Sequence, residues 1–436
     1  MKRRELLTMA GAGAVTTIVA GCSVGSIGGG GSSDKLSLRM LVPVSGDGQT
    51  AYQEALAKAF TAQNPDIEIK IETQPGGTEG DNLTKTKLST GEMPEVFNYN
   101  SGSLLQALSP DTQLVDLSDQ EWVGDLTEDY KPTVSTDQGL YGAPIGTTMG
   151  GGVLYNRKVY DELGLSIPMS WDEFTENNQK IKAAGKTAII QTFGTDWTAQ
   201  LFVLADFANV MAQDPQWAEE YTANKRKYAD QPALQGFLNQ EETAKEGFYN
   251  EDAPAAQYDA GVKMLANGDG VHYPMHSGPL TALQQNYPDQ VDDIGIFAIP
   301  AQDAADTRLT LWLPNSFYIP QSATGDKLEA AKQLIAFSQS PTGCEIQLEH
   351  ATVTGPFANQ ACSLPTDVPA MVTDIDTYVQ DGMTAPALEF LSPVKGPGLP
   401  NITVEVGRGI RSGAEGAELY DEDVKKQAQQ LGLPGW

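Results

Sequence analysis

Leu36-Ser37-Leu38-Arg39-Met40 and Ile67-Glu68-Ile69-Lys70-Ile71 flank a run in which Tyr52, Ala55, Leu56, Ala59 and Phe60 recur at helical spacing. Alternation of apolar and polar residues turns one face of each flanking segment toward a core, and recurrence every three to four residues does the same for one side of a helix. The stretch therefore predicts strand, helix, strand. Asn64-Pro65 stops the helix, because proline lacks an amide hydrogen and disfavours helical geometry in the residue before it. The length between the strands suits a right-handed crossover joining parallel neighbours, so the fold class is α/β. A second unit follows, with a strand near 95–99 and a helix around 104–108.

Open parallel sheets bind ligands beyond the carboxyl ends of their strands. That rule singles out Ser45-Gly46-Asp47-Gly48 after the first strand and Asn98-Tyr99-Asn100-Ser101 after the later one. Asp47, Asn98, Tyr99 and Asn100 are accordingly candidate binding residues, although turn chemistry accounts equally well for Asp47 and an aromatic at a strand end less so.

Further along, the glycine-rich passage 146–152 precedes the apolar run Val153-Leu154-Tyr155 and reads as a chain crossing between domains. Ser170-Trp171-Asp172-Glu173 is a capping box, with Trp171, Phe174 and Ile181 on the buried side of its helix and Gly185 at its end. Residues 201–266 are rich in helix, strands return at 294–300 and 309–319, and an amphipathic helix spans 328–337. A loop rich in proline and glycine, 392–400, leads into terminal helices.

The N-terminus carries its own message. Lys2, Arg3 and Arg4 precede an apolar run from Leu6 to Ala20, shorter than the roughly 20 residues a membrane span requires. Val19-Ala20-Gly21-Cys22 then has the pattern read by a lipid-attaching signal peptidase, so residues 1–22 are expected to be a leader, Cys22 the lipidated residue, and residues 23–33 a Gly/Ser tether. The match of residues 21–25 to Gly-x-Ser-x-Gly falls on this cleavage site rather than on a strand-to-helix turn. Arg3-Arg4 also partly resembles a twin-arginine export signal.

The mature chain of about 400 residues exceeds what one core serves, so two domains are expected. The full sequence has 28 basic and 57 acidic residues, a net charge of −29, which repels nucleic acid and anionic lipid. With Cys22 lipidated, Cys344 and Cys362 remain as a candidate disulfide or as two separate buried thiols. Three histidines leave little room for a triad or a zinc site, and Pro274 between His272 and His276 argues against a helical pair. Asp374 and Asp376 start like a calcium loop but lack its glycine and terminal glutamate. No phosphate-binding loop is present. No cofactor or metal is expected.

What recurs in the loops is aromatic beside amide: Tyr99 with Asn98 and Asn100, Trp197 after Asp196, Trp312 with Asn315, and Tyr273 near Ser277-Gly278. Sugar rings offer apolar faces to flat aromatics while their hydroxyls need fixed amide and carboxylate partners. Trp197 and Trp312 read equally as core residues.

An ordered set of landmarks carries a resemblance over nearly the whole mature chain. Tyr141-Gly142-Ala143-Pro144, Leu154-Tyr155-Asn156-Arg157, Leu163-Gly164 with Pro168 and the capping box through Phe174, Gly261 with Met264 and Asn267-Gly268, Ile294-Gly295 through Pro300, and Ala330-Ala331-Lys332 to Phe337 with Ser340-Pro341 resemble the extracellular solute-binding proteins of family 1. These are carbohydrate-binding lipoproteins of ATP-binding cassette importers, similar to maltose-binding proteins. The resemblance implies a type II periplasmic-binding-protein-like fold, with lobe 1 at 34–143 plus 312–345 and lobe 2 at 144–311 plus 346–436. It places Asp47, Tyr99, Thr148, Trp197, Ser277 and Gly278 around the sugar. Two departures concern the ligand: Gly278-Pro279-Leu280 stands where the family often has Gly-Pro-Trp, and Glu95 replaces the usual aspartate.

The implied function is capture of an oligosaccharide by hinge closure and delivery to a membrane permease, by a monomer anchored through its lipid at the outer face of the cell membrane and without catalysis. A receptor for a peptide or polyol phosphate, or a tethered carbohydrate-active enzyme, are the alternatives.

Overall fold

The structure, a computed structural model, describes residues 35–44 and 50–436. The leader, Cys22, the tether and the Asp47 loop lie outside the described residues. No helix among the described residues is long and apolar enough to cross a membrane.

Eleven strands among the described residues form two sheets: β1 Leu36–Val44, β2 Ile67–Pro75, β3 Val96–Tyr99, β4 Ala143–Ile145, β5 Met149–Asn156, β6 Thr187–Ile189, β7 Gly270–His276, β8 Ile294–Phe297, β9 Leu309–Trp312, β10 Asn315–Tyr318 and β11 Thr384–Pro386. The first sheet has the order β2-β1-β3-β10-β4 and the second β11-β9-β5-β7-β6, with β8 also paired to β5. Both are flanked by helices, which makes the molecule a two-lobe α/β protein of the periplasmic-binding type.

The opening stretch folds as its pattern predicts. β1 and β2 are parallel, with Leu36 opposite Ile67 and Met40 opposite Ile71, and the helix Ala51–Gln63 crosses between them. Its end is fixed at Asn64, whose backbone and side-chain amides both donate to the Phe60 carbonyl. β1 is central: Leu38, Met40, Leu41 and Val42 are all essentially buried, whereas Ile67, Ile69 and Ile71 on edge strand β2 are half-buried.

Glu95, at the foot of β3, accepts from the Arg39 amide at 2.8 Å and from Lys327 Nζ at 2.7 Å. It thereby ties β1 to the helix Gly325–Ser338. Burial pushes its carboxyl up, but these bonds, Lys327's foremost, bring it below the usual carboxylate range.

In the second sheet Ser170 and Glu173 exchange the reciprocal bonds of a capping box, and Trp171, 2% exposed, packs on Phe174. His272 is wholly buried, and its Nδ1 donates to Asn178 Oδ1 at 2.8 Å while its Nε2 accepts from the Tyr160 hydroxyl at 2.6 Å. Both ring nitrogens are committed to the core. Asp374 is paired with Arg157 and accepts from the Ile296 amide, so it fastens the helix Ala370–Gln380 to β8.

Two features differ from the sequence reading. Residues 309–319 were expected to be one strand but are two, β9 in the second sheet and β10 in the first, because Pro314 has no amide hydrogen for the ladder. Trp312, assigned by sequence to lobe 1, consequently stands in the second sheet. Residues 358–360 hydrogen-bond to 125–127 beside the first sheet rather than joining the second. Cys344 and Cys362 are joined in a disulfide that holds this returning segment to the helix Pro341–His350.

Candidate functional site

The chain passes from one sheet to the other at residues 146–148, between β4 and β5, and at 313–314, between β9 and β10. Gly146 adopts φ +91°, a conformation that favours glycine. Its amide donates to Gln347 Oε1 at 3.1 Å, the Thr354 amide donates to Thr147 Oγ1 at 3.0 Å, and the Thr148 amide donates to the Pro356 carbonyl at 2.8 Å. Ser277 Oγ donates to the Thr354 carbonyl at 2.7 Å. The crossing strands and the segment 354–356 are thus laced together by backbone-directed bonds.

Beside this junction lie two adjoining cavities, the smaller of them lined by residues from both sheets. This smaller one, of about 160 Å³, is bounded by Asn100, Ser101, Ser103, Leu104 and Asn315 on one side and by Met149, Trp312, Glu389 and Phe390 on the other. A larger one of about 340 Å³ shares Ser103, Leu104 and Glu389 and adds Lys85, Gln200, Lys395 and Gln427 among others. The opposing walls meet closely at Gly102, with φ +70°, where an added Cβ would lie 2.5 Å from the Glu389 carbonyl oxygen.

The aromatic wall is a continuous row. Trp197, half-buried, stacks on His276 with ring centres 5.5 Å apart and planes 13° apart, and its ring centre lies 5.7 Å from that of Tyr258. His276 meets Trp312 edge to face at 6.4 Å. The Gly278 amide donates to His276 Nδ1 at 3.0 Å, which assigns the ring hydrogen to Nε2. Burial holds this imidazole down to about 4, against an opposing pull from the Glu389 charge, so the row is uncharged near neutral pH.

The Trp312 ring lies across Gly151 of β5, where a Cβ would sit 2.0 Å from its Cζ3. The indole Nε1 donates to Glu389 Oε1 at 3.2 Å, and Lys395 Nζ donates to Glu389 Oε2 at 2.9 Å.

Of the residues singled out by sequence, Asn100, Trp312 and Asn315 line one cavity, and Trp197 joins them through His276. Gly278 orients His276. Thr148 and Ser277 are buried in the junction, 4% and 0% exposed. Tyr99, 3% exposed, is packed into the first lobe rather than offering an open ring face, and burial together with the nearby Asp81 charge pushes its phenol up. Asn98 sits opposite Phe317 within the β3–β10 pair. Asp47 lies outside the described residues.

Glu389, Lys395 and Gln200 escaped the sequence reading, and His276 entered it only as half of a metal pair that Pro274 argues against. Residues 389–395 show no periodicity, and their approach to Trp312 depends on β11 pairing parallel to β9. The one signal was the density of proline and glycine from Ser392 to Pro400.

Two helix-flanked sheets, repeated crossings and a cavity between them define a two-lobe solute-binding fold. A family model described as bacterial extracellular solute-binding protein matches residues 43–343, and the chain belongs to that family. The multiple sugar-binding protein of Streptococcus mutans is 25% identical over 257 residues, 58% of this chain and 60% of that protein, so the match spans less than two thirds of that relative. The melibiose/raffinose/stachyose-binding protein of Bacillus subtilis is 22% identical over 352 residues, 79% of each chain. Among solved structures, a Bacillus subtilis binding protein in an open conformation superposes with a TM-score of 0.77 at 17% identity, covering 92% of this chain and 100% of that one. A sugar transporter of Bacillus licheniformis in complex with stachyose gives 0.67 at 17% identity, covering 90% and 100%. At these identities the structural likeness concerns the fold.

Proposed function

We propose that this protein captures an intact oligosaccharide between its lobes and presents it to the permease of an ATP-binding cassette importer. The observation that carries the reading is a cavity lined by Trp312 together with Asn100, Asn315 and Glu389, with the uncharged ring of His276 and then Trp197 continuing the row from Trp312. Flat rings take the C–H faces of sugar rings, while amides and a carboxylate take their hydroxyls. The names of the two relatives, both sugar-binding, point to the same ligand class.

On this reading lobe 1 comprises residues 35–145 and 313–362 and lobe 2 residues 146–312 and 363–436. These ranges follow the strands: β4 ends at Ile145, Trp312 belongs to β9, and residues 358–360 bond beside the first lobe. Trp197, Trp312, Asn100 and Asn315 contact the sugar. Gly278 positions the row, Thr148 and Ser277 hold the junction, Asn98 and Tyr99 brace the first wall, and Asp47 is a candidate contact to the sugar. Because the ligand needs both walls, binding shifts the population toward the closed form. A lipid on Cys22 would keep the receptor at the outer face of the membrane, within reach of the permease.

Calorimetric titration with melibiose, raffinose and stachyose, followed by chromatography of the recovered sugar, tests the proposal. Stoichiometric heat with the sugar returned unchanged is expected. Turnover of the sugar by catalytic amounts of protein would replace the receptor with an enzyme.

A further inference from the structure

Glu389 is the only charged side chain lining both cavities among the described residues. Its backbone position is set by close approach to Gly102, and its side chain is held from two sides. Resting on the sugar reading above, we propose that Glu389 decides which saccharides the cleft accepts, by offering its carboxylate to two neighbouring hydroxyls of a ligand that reaches from one cavity into the other.

An ionised carboxylate has about four acceptor sites, two on each oxygen. The Trp312 indole occupies one on Oε1 and the Lys395 ammonium one on Oε2, which leaves one on each oxygen. Two O–H groups on adjacent ring carbons match that pair of acceptors in spacing and direction. Lys395 balances the charge while covering a single oxygen, so the carboxylate keeps its acceptor strength without standing as a lone buried charge.

The same arrangement defines what is refused. Trp312 and Lys395 are both donors, so the group between them must accept on both oxygens. A ligand lacking a hydroxyl there leaves a desolvated acceptor unpaired, and one carrying a carboxylate there meets like charge. Trp312 and Lys395 are positioning residues in this scheme.

The experiment is calorimetric titration of wild type and Glu389→Gln with neutral di- to tetrasaccharides including raffinose and stachyose, alongside thermal melts. The amide presents an NH2 to one of two donors, so affinity should fall about 10- to 100-fold for every saccharide the wild type binds. In a set of singly deoxygenated versions of the bound sugar, the hydroxyl whose removal costs the wild type most should cost the variant little; equal cost in both would reduce Glu389 to a structural prop. Should Glu389→Gln fail to melt cooperatively, Glu389→Asp, which withdraws the carboxylate by one methylene, must show the same two effects. Unchanged affinity in a folded variant overturns the inference and leaves the sugar reading standing. A wild type that binds no saccharide overturns both.

Discussion

Trp312 shows how one residue can serve core and site together. It is 8% exposed, lies against a glycine of the neighbouring strand and still lines the cavity. Sequence weighed core against site for Trp197 and Trp312 alike, and in the structure Trp312 is buried while Trp197 is half-buried. Trp312→Ala should lose sugar binding and destabilise the fold by about 3–5 kcal/mol, the range for truncating a buried tryptophan. Trp197→Ala, at a half-buried ring, should weaken binding at least tenfold while denaturant unfolding shifts by less than about 1 kcal/mol. A variant of Trp197 that binds normally but unfolds easily would move that ring from site to core.

Titration belongs to the same scale. Burial lowers His272 to about 3. Its folded value lies below the ordinary 6.5 of the unfolded chain, so the unfolded state takes up more protons between these limits. The stability it contributes is present above pH 6.5 and is lost as pH falls toward 3, by up to about 1.4 kcal/mol per pH unit. Buried Asp206, raised to about 7 by desolvation, works in the opposite sense, its cost growing as pH rises through the acid range. Comparing wild type with His272→Gln isolates the imidazole. The fall in unfolding free energy between pH 6.5 and 4.5 should be smaller in the variant, and an equal fall would show that His272 is not held neutral.

At the scale of elements, legibility followed periodicity. The unit β1–helix–β2 was readable because each segment buries one face and its spacing records that face, and the capping box was readable because its chemistry is local. The crossing at Gly146 was legible for a similar reason, since a run of glycines has few other uses. Pro314 dividing β9 from β10 was missed because apolar residues continue on both sides of it. The wall 389–395 was illegible because a loop's partners are chosen by sheet order, and no local pattern encodes that β11 lies beside β9. Gly102 joins this wall to the opposite lobe. Gly102→Ala places a methyl group against the Glu389 carbonyl at a φ of +70°. It should cost about 1 kcal/mol of stability and at least tenfold in sugar affinity, because the walls can no longer approach. Affinity equal to wild type would mean that this contact plays no part in closure.

Across the whole molecule the net charge is −29, and the groups proposed to recognise the sugar are stacking rings, amides and one balanced carboxylate. Those groups are divided between two lobes, Asn100 and Asn315 on one and Trp197, His276, Trp312 and Glu389 on the other. On the proposed reading neither lobe alone completes the site, so affinity and closure would be one equilibrium. Small-angle X-ray scattering of the mature protein, with and without a saccharide that gives calorimetric heat, tests this most directly. A smaller radius of gyration is expected at saturation, with a midpoint that tracks the calorimetric one. Saturable binding with an unchanged radius would contradict it.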